Sequence, residues 1–183
     1  MRGIYAESLQ GVTEKNLGFF EGVFGALLYG KAFKGGWVIL NMKKEKLSAK
    51  DKDLIQLGKQ TAIRGFIDDR ENSVGCDLAG ALITNSGKIF TGINMDVKSS
   101  SGASTCGERS AILHMLSQGE KEINTMVAVW ISRDYKKNGE WGILPPCGIC
   151  RHVMNQFGNP WVIISKTEKV KLRDLFPLGE KFR

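Results

Sequence analysis

Apolar positions in this chain change period several times between Ser48 and Ser165, and each change marks the end of one element and the start of another. Ser48 is placed to cap a helix that runs to about Phe66. Leu78 to Thr84 is an apolar run, Asn85-Ser86-Gly87 is a turn signal, and Lys88 to Met95 resumes with Ile89, Phe90 and Ile93. That sequence of signals predicts a hairpin. A polar, small-residue stretch from Lys98 to Thr105 leads into a helix from Cys106 to about Ser117, with Ile112, Leu113 and Leu116 as its apolar stripe and Gly119 as its end. Thr125 to Ser132 reads as a strand through Val127, Val129 and Ile131, and Arg133 to Leu144 as a polar loop with Asn138-Gly139 at its tip. A helix from Cys147 to about Phe157 and a strand from Trp161 to Ser165 complete the alternation. Strands separated by helices predict an α/β architecture in which helices cover a sheet and sites form at strand ends and helix starts.

Residues 1–41 do not share this pattern. They are rich in glycine and aromatics and end in a short apolar run, Trp37 to Leu40, whereas Met42 onward reads like an ordinary protein start. The expected division is an extension over 1–41, either a small appended element or a segment that does not fold, and a domain over 42–183. Composition agrees with one such domain: of 183 residues, 42% are hydrophobic and 25% charged, enough for a sizeable core. The apolar segment Leu17 to Tyr29 is interrupted by Gly18, Glu21, Gly22 and Gly25 and is shorter than the roughly 20 residues of a membrane span. With no secretory leader pattern, a cytoplasmic protein without membrane association is expected. The net charge of +7 is concentrated in Lys43, Lys44, Lys46, Lys50 and Lys52, interleaved with Glu45, Asp51 and Asp53. A solvated helix face accounts for that pattern better than a nucleic-acid partner does.

The chemistry is concentrated at Cys106-Gly107-Glu108-Arg109 and Pro145-Pro146-Cys147-Gly148-Ile149-Cys150-Arg151. Cys147 and Cys150, at i and i+3, share a helix face, so their sulfurs can converge with that of Cys106 on one ion. Three thiolates leave a fourth position of tetrahedral zinc open to water, which is the arrangement of a catalytic site; a structural site is closed by four ligands. Glu108 is then the group that handles the proton of that water. Arg109 and Arg151 are placed to donate to the thiolates from outside the ligand set, offsetting their charge together with the two helix N-termini. Closure of the site by Cys76 as a fourth thiolate is the structural alternative, and it leaves Glu108 without a role.

These two motifs resemble the signature of the zinc-dependent cytidine deaminases, in particular the homotetrameric cytidine deaminase and blasticidin-S deaminase type, with Cys in place of His as first ligand. The likeness runs from about Asp53 to the C-terminus and includes Gly80-Ala81-Leu82, Thr91-Gly92-Ile93-Asn94-Met95-Asp96, Glu108-Arg109-Ser110-Ala111-Ile112, Cys150-Arg151 and the terminal segment Leu172 to Phe182. The resemblance implies a three-layer αβα fold with a mixed central sheet and one zinc per subunit held by Cys106, Cys147 and Cys150. It also implies Glu108 as general acid and base in the hydrolytic release of ammonia from a free cytidine-type nucleoside, as in pyrimidine salvage. Asn94 and Asp96 would hold the sugar hydroxyls, and Phe182 would close a neighbouring subunit's site in a tetramer. Four departures bear on substrate: Asp96 stands for the family's Glu, Asp77 stands where an aromatic is usual, the polar segment Ser99-Ser100-Ser101-Gly102 differs from the usual stretch before the first thiol, and the loop from Asp134 to Gly142 is long. The alternatives are a deaminase of a modified cytosine compound such as blasticidin S, and a non-catalytic nucleoside- or nucleic-acid-binding protein with a structural zinc.

Overall fold

A computed structural model of the protein describes residues 42–179, so the expectations for residues 1–41 and for Phe182 lie outside the described residues. The sequence-predicted helix forms as α1, Ala49–Gly65. Ser48 caps it reciprocally: the Asp51 amide donates to Ser48 Oγ at 3.2 Å, and the Ser48 amide donates to Asp51 Oδ2 at 2.8 Å. That capping box satisfies two donors that the first helical turn would leave orphaned. Lys169 Nζ completes the cluster with a 2.7 Å ion pair to Asp51 Oδ2, and both side chains are largely buried.

Among the described residues nine strands follow chain order: β1 Glu45–Lys46, β2 Val74–Gly75, β3 Leu78–Thr84, β4 Ile89–Ile93, β5 Asp96–Val97, β6 Ile123–Ile131, β7 Trp141–Ile143, β8 Trp161–Ile163 and β9 Glu168–Lys171. Seven form a sheet in the order β1-β9-β8-β6-β3-β4, with β7 also paired to β6. Its pairs are antiparallel except β6 with β8, which makes the sheet mixed. Strands β7 and β8 share one edge of β6, pairing with Val129 to Ile131 and with Thr125 to Met126 respectively. The remaining two, β2 and β5, pair with each other.

Further helices are α2 Gly107–Ser117, α3 Tyr135–Asn138, α4 Gly148–Asn155 and α5 Leu172–Leu175. Strand alternation sends Ala81, Val127, Val129 and Ile163 to one face of the sheet, against Leu54 and Ile55 of α1. Leu82, Met126 and Val162 go to the other face, against Ala111, Ile112 and Met115 of α2 and Met154 of α4. The result is the expected three-layer αβα arrangement. Leu113, expected in the α2 stripe, is 63% exposed, because the helix turns Gly107, Glu108, Ala111, Ile112 and Met115 toward the sheet. Among the described residues no helix is long and apolar enough to cross a membrane.

Two glycines fix where α2 starts. A Cβ on Gly80 would lie 2.6 Å from the Glu108 amide nitrogen, and one on Gly107 would lie 2.5 Å from the Gly80 nitrogen. Only hydrogen at both positions lets the first turn of α2 rest on β3, which brings Cys106 and Glu108 against the sheet.

Asp51 supplies a stability test. Burial works to raise its pKa, but hydrogen bonds from Lys169 and Ser48 outweigh burial and leave it below the ordinary carboxylate value of 3.8. A depressed folded pKa gives stability that is present above the unfolded value and is lost as pH falls through the folded one. Asp51→Asn is therefore expected to destabilise the protein at pH 7 by about 3–5 kcal/mol, the cost of leaving Lys169 unpaired. Chemical denaturation across pH 2 to 7 checks it: the wild type's advantage should begin to fall below about pH 4, and an unchanged midpoint at neutral pH would show that the pair contributes nothing.

Candidate active site

Two helix starts face each other across the site. Cys106 is the N-cap of α2 and Cys147 the N-cap of α4, both in extended backbone, so the free amides of each first turn lie beside a sulfur. Sγ of Cys106 and Sγ of Cys150 are 2.7 Å apart, and a carboxylate oxygen of Glu108 completes a group whose ligand atoms all lie within 4.8 Å of one another. Cys150 and Glu108 are buried at 1% and 5% exposure. Arg109 Nε donates to Cys106 Sγ at 3.4 Å and its Nη2 to the Ser104 carbonyl at 3.1 Å, which holds positive charge against the first thiol.

The electrostatics follow from this packing. The hydrogen bond from Cys150 lowers the Cys106 thiol to about 5 against the opposing effect of burial, and the Arg109 amide and guanidinium help. The two thiols are pushed apart: Cys106 below the ordinary thiol range, and Cys150, buried and against Cys106, well above it. Burial, followed by the charge on Cys106, raises Glu108 to about 7. A buried carboxyl that exchanges its proton near neutrality is matched to general acid–base work.

Three expectations differ from what is found. Cys147 is exposed and outside the 4.8 Å group. Arg151 turns away from sulfur: its Nε donates to the Pro146 carbonyl at 2.8 Å and its Nη1 to the Leu175 carbonyl at 2.9 Å, tying the start of α4 to the end of α5. Its reach favours these carbonyls because they are acceptors that the local turns leave open. Asn94 is buried and lies in the cavity wall, but both halves of its amide are engaged within the chain. Its Oδ1 accepts from the amides of Asp77 and Leu78, each at 2.8 Å, and its Nδ2 donates to Asp77 at 3.2 Å and Asp96 at 3.3 Å. Cys76, the other free thiol, is buried in a bridge with Ile67 and does not join the cluster.

A cavity of about 410 Å³ opens onto Cys106, lined also by Asp77, Asn94, Asp96, Arg109 and Leu144. Asp77, a departure from the family pattern in sequence, accepts a hydrogen bond from Asn94 that only the fold brings about.

Residues 48–166 match the model of the cytidine and deoxycytidylate deaminase zinc-binding region. The chain belongs to this deaminase family. The enzyme class, a hydrolase acting on a C–N bond, and the metal, zinc, come with that membership. A probable cytidine deaminase of Dictyostelium discoideum is 35% identical over 92 residues, which are 50% of this chain and 57% of that protein. The chain thus spans little more than half the length of that relative. Blasticidin-S deaminase of Bacillus cereus is 24% identical over 141 residues, covering 75% of this chain and 96% of that one. Among solved structures, cytidine deaminase from Burkholderia pseudomallei superposes with a TM-score of 0.56 at 24% identity, covering 73% of this chain and 100% of that one. At that identity the likeness speaks for the deaminase fold alone.

The donor set fits zinc by its own chemistry. Thiolates are soft ligands that zinc favours, two sulfurs lie 2.7 Å apart, and a third stands one helical turn from Cys150.

Proposed function

We propose that residues 42–183 form a zinc-dependent deaminase domain that hydrolyses a free cytosine nucleoside, cytidine or deoxycytidine, to the uracil nucleoside and ammonia. The single observation that supports this most is Glu108: a buried carboxyl beside two thiols, at a helix start whose Cys106 lines a cavity of about 410 Å³. Cys106, Cys147 and Cys150 are the proposed zinc ligands. When bound, zinc supplies the Lewis acidity that makes a water molecule nucleophilic near neutral pH.

Glu108 takes a proton from that water and delivers it to the ring nitrogen next to the amine-bearing carbon. Oxygen adds to that carbon, the carboxyl carries a second proton to the exocyclic nitrogen, and the C–N bond breaks as ammonia leaves. Arg109 keeps the Cys106 sulfur in place and offsets its charge. Burial of Glu108 keeps bulk water from short-circuiting the transfer.

A second reading, a modified cytosine compound such as blasticidin S, is favoured by the two carboxylates in the cavity wall and by the 96% coverage of blasticidin-S deaminase. The test is parallel incubation of the zinc-loaded protein with cytidine, deoxycytidine, cytosine and blasticidin S, following ultraviolet absorbance and ammonia. Turnover of a free nucleoside above that of blasticidin S is expected; the reverse order favours the second reading, and no ammonia from any of the four overturns both.

A further inference from the structure

Of the three proposed zinc ligands, Cys147 is the one that the core does not hold in place. Cys150 is 1% exposed in the core cluster against which Cys106 also packs, whereas Cys147 is exposed. The direction of its sulfur therefore depends on its backbone, and one residue bonds that backbone on both sides. The Arg151 amide donates to the Cys147 carbonyl at 3.0 Å, the ordinary opening bond of a helix. Arg151 Nε donates to the Pro146 carbonyl at 2.8 Å, a bond particular to this side chain. These carbonyls belong to the two rigid peptide planes that meet at the Cys147 Cα. With both planes pinned, at φ −68° and ψ 172°, the Cα–Cβ bond has a fixed direction and only χ1 is left to aim the sulfur.

The guanidinium is also anchored outside α4. Its Nη1 donates to the Leu175 carbonyl at 2.9 Å, at the end of a four-residue helix whose final carbonyl has no partner within the helix. One position further along α4, the rings of His152 and Phe176 meet edge to face with centroids 6.2 Å apart. Helix α5 is itself seated through Leu172, which is 1% exposed in the cluster that contains Cys150. Among the described residues Arg151 is in no ion pair, so its charge strengthens the bonds to these two carbonyls. A planar fork with donors in fixed directions can span both at once, whereas an ammonium on a flexible stem acts as a single point.

We infer that Arg151 is the positioning residue for the Cys147 sulfur, slowing the loss of zinc by fixing the backbone of that ligand rather than by donating to a thiolate. The inference rests on the zinc ligands proposed above, and the two can fail separately.

Release of zinc from the full zinc-loaded chain to a chromogenic chelator is timed for the wild type, Arg151→Gln, Cys147→Ser and the double variant. Arg151→Gln should release zinc about 10–100-fold faster than the wild type, and Arg151→Lys, which keeps the charge and one of the two bonds, should do so by less. Once the Cys147 sulfur is gone Arg151 has nothing to position, so the double variant should release zinc within about twofold of Cys147→Ser alone. Cobalt loaded in place of zinc gives an optical reading. Its sulfur-to-metal absorption per bound ion should fall in Arg151→Gln toward that of Cys147→Ser, a change that looser packing of α4 on α5 would not by itself produce. Wild-type release from Arg151→Gln, an undiminished absorption, or a full Arg151 effect in the Cys147→Ser background would each overturn the inference while the ligand set stands. Should Arg151→Gln fail to fold, Arg151→Lys and its double variant with Cys147→Ser decide the same questions. Release from Cys147→Ser at the wild-type rate would sink the ligand assignment, and the inference with it.

Discussion

Glu108→Gln is expected to lower deamination by about 10²–10⁴-fold while leaving zinc content unchanged. The substitution keeps the shape of a side chain that is 5% exposed and packed against two sulfurs, so the cavity and the helix start persist. What disappears is the ability to accept a proton and return it at another atom. Stability moves the other way. Glu108 has a folded pKa raised to about 7 from 4.5, so the favourable protonated form is fully populated below pH 4.5 and stability is lost as pH rises through 7. In the zinc-free protein the Gln variant escapes that loss, a gain on the order of 3 kcal/mol above pH 7. Ammonia assays with zinc-loaded enzyme and denaturation of the zinc-free pair at pH 4.5 and 8 read the two effects separately. Retained turnover would remove Glu108 from the chemistry; equal stability at both pH values would mean its charge is better solvated than its burial implies.

The opposing trends reflect what could and could not be read from the chain. Local signals survived folding: the Ser48 cap, the Asn85-Ser86-Gly87 turn and the cysteines at two helix starts all depend on neighbours in sequence. Elements defined by a distant partner did not announce themselves. Trp141–Ile143 is three residues inside a polar run and becomes β7 because the edge of β6 offers it hydrogen bonds. Glu168–Lys171 reads as charged surface, with only Val170 fully buried, yet it lies between β8 and β1. The same limit governs the site. Asn94 has the residue type of a sugar ligand, but its engagement with the Asp77 and Leu78 amides follows from the pairing of β3 and β4 rather than from spacing. Arg151 sits beside a ligand in sequence and bonds α5 in space.

Replacing Cys147 with Ser is expected to weaken zinc binding by more than about 10²-fold and to abolish turnover, whereas Cys76→Ser should leave both intact. Cys147 stands outside the group formed by Cys106, Cys150 and Glu108, so the geometry offers two candidate third ligands, one sulfur and one carboxylate. Softness favours sulfur, since a thiolate binds zinc in preference to competing hard cations, and the i, i+3 spacing puts Cys147 on the Cys150 side of α4. Cys147 is exposed and starts the helix that carries the buried Cys150. Zinc measured per chain after dialysis, across Cys147→Ser, Cys76→Ser and Glu108→Gln, separates the assignments. Loss in the first alone supports three thiolates with a free acid beside them. Loss in Glu108→Gln with retention in Cys147→Ser would instead make Glu108 the third ligand, and a carboxylate fixed to the metal could no longer carry the proton that the proposed reaction requires.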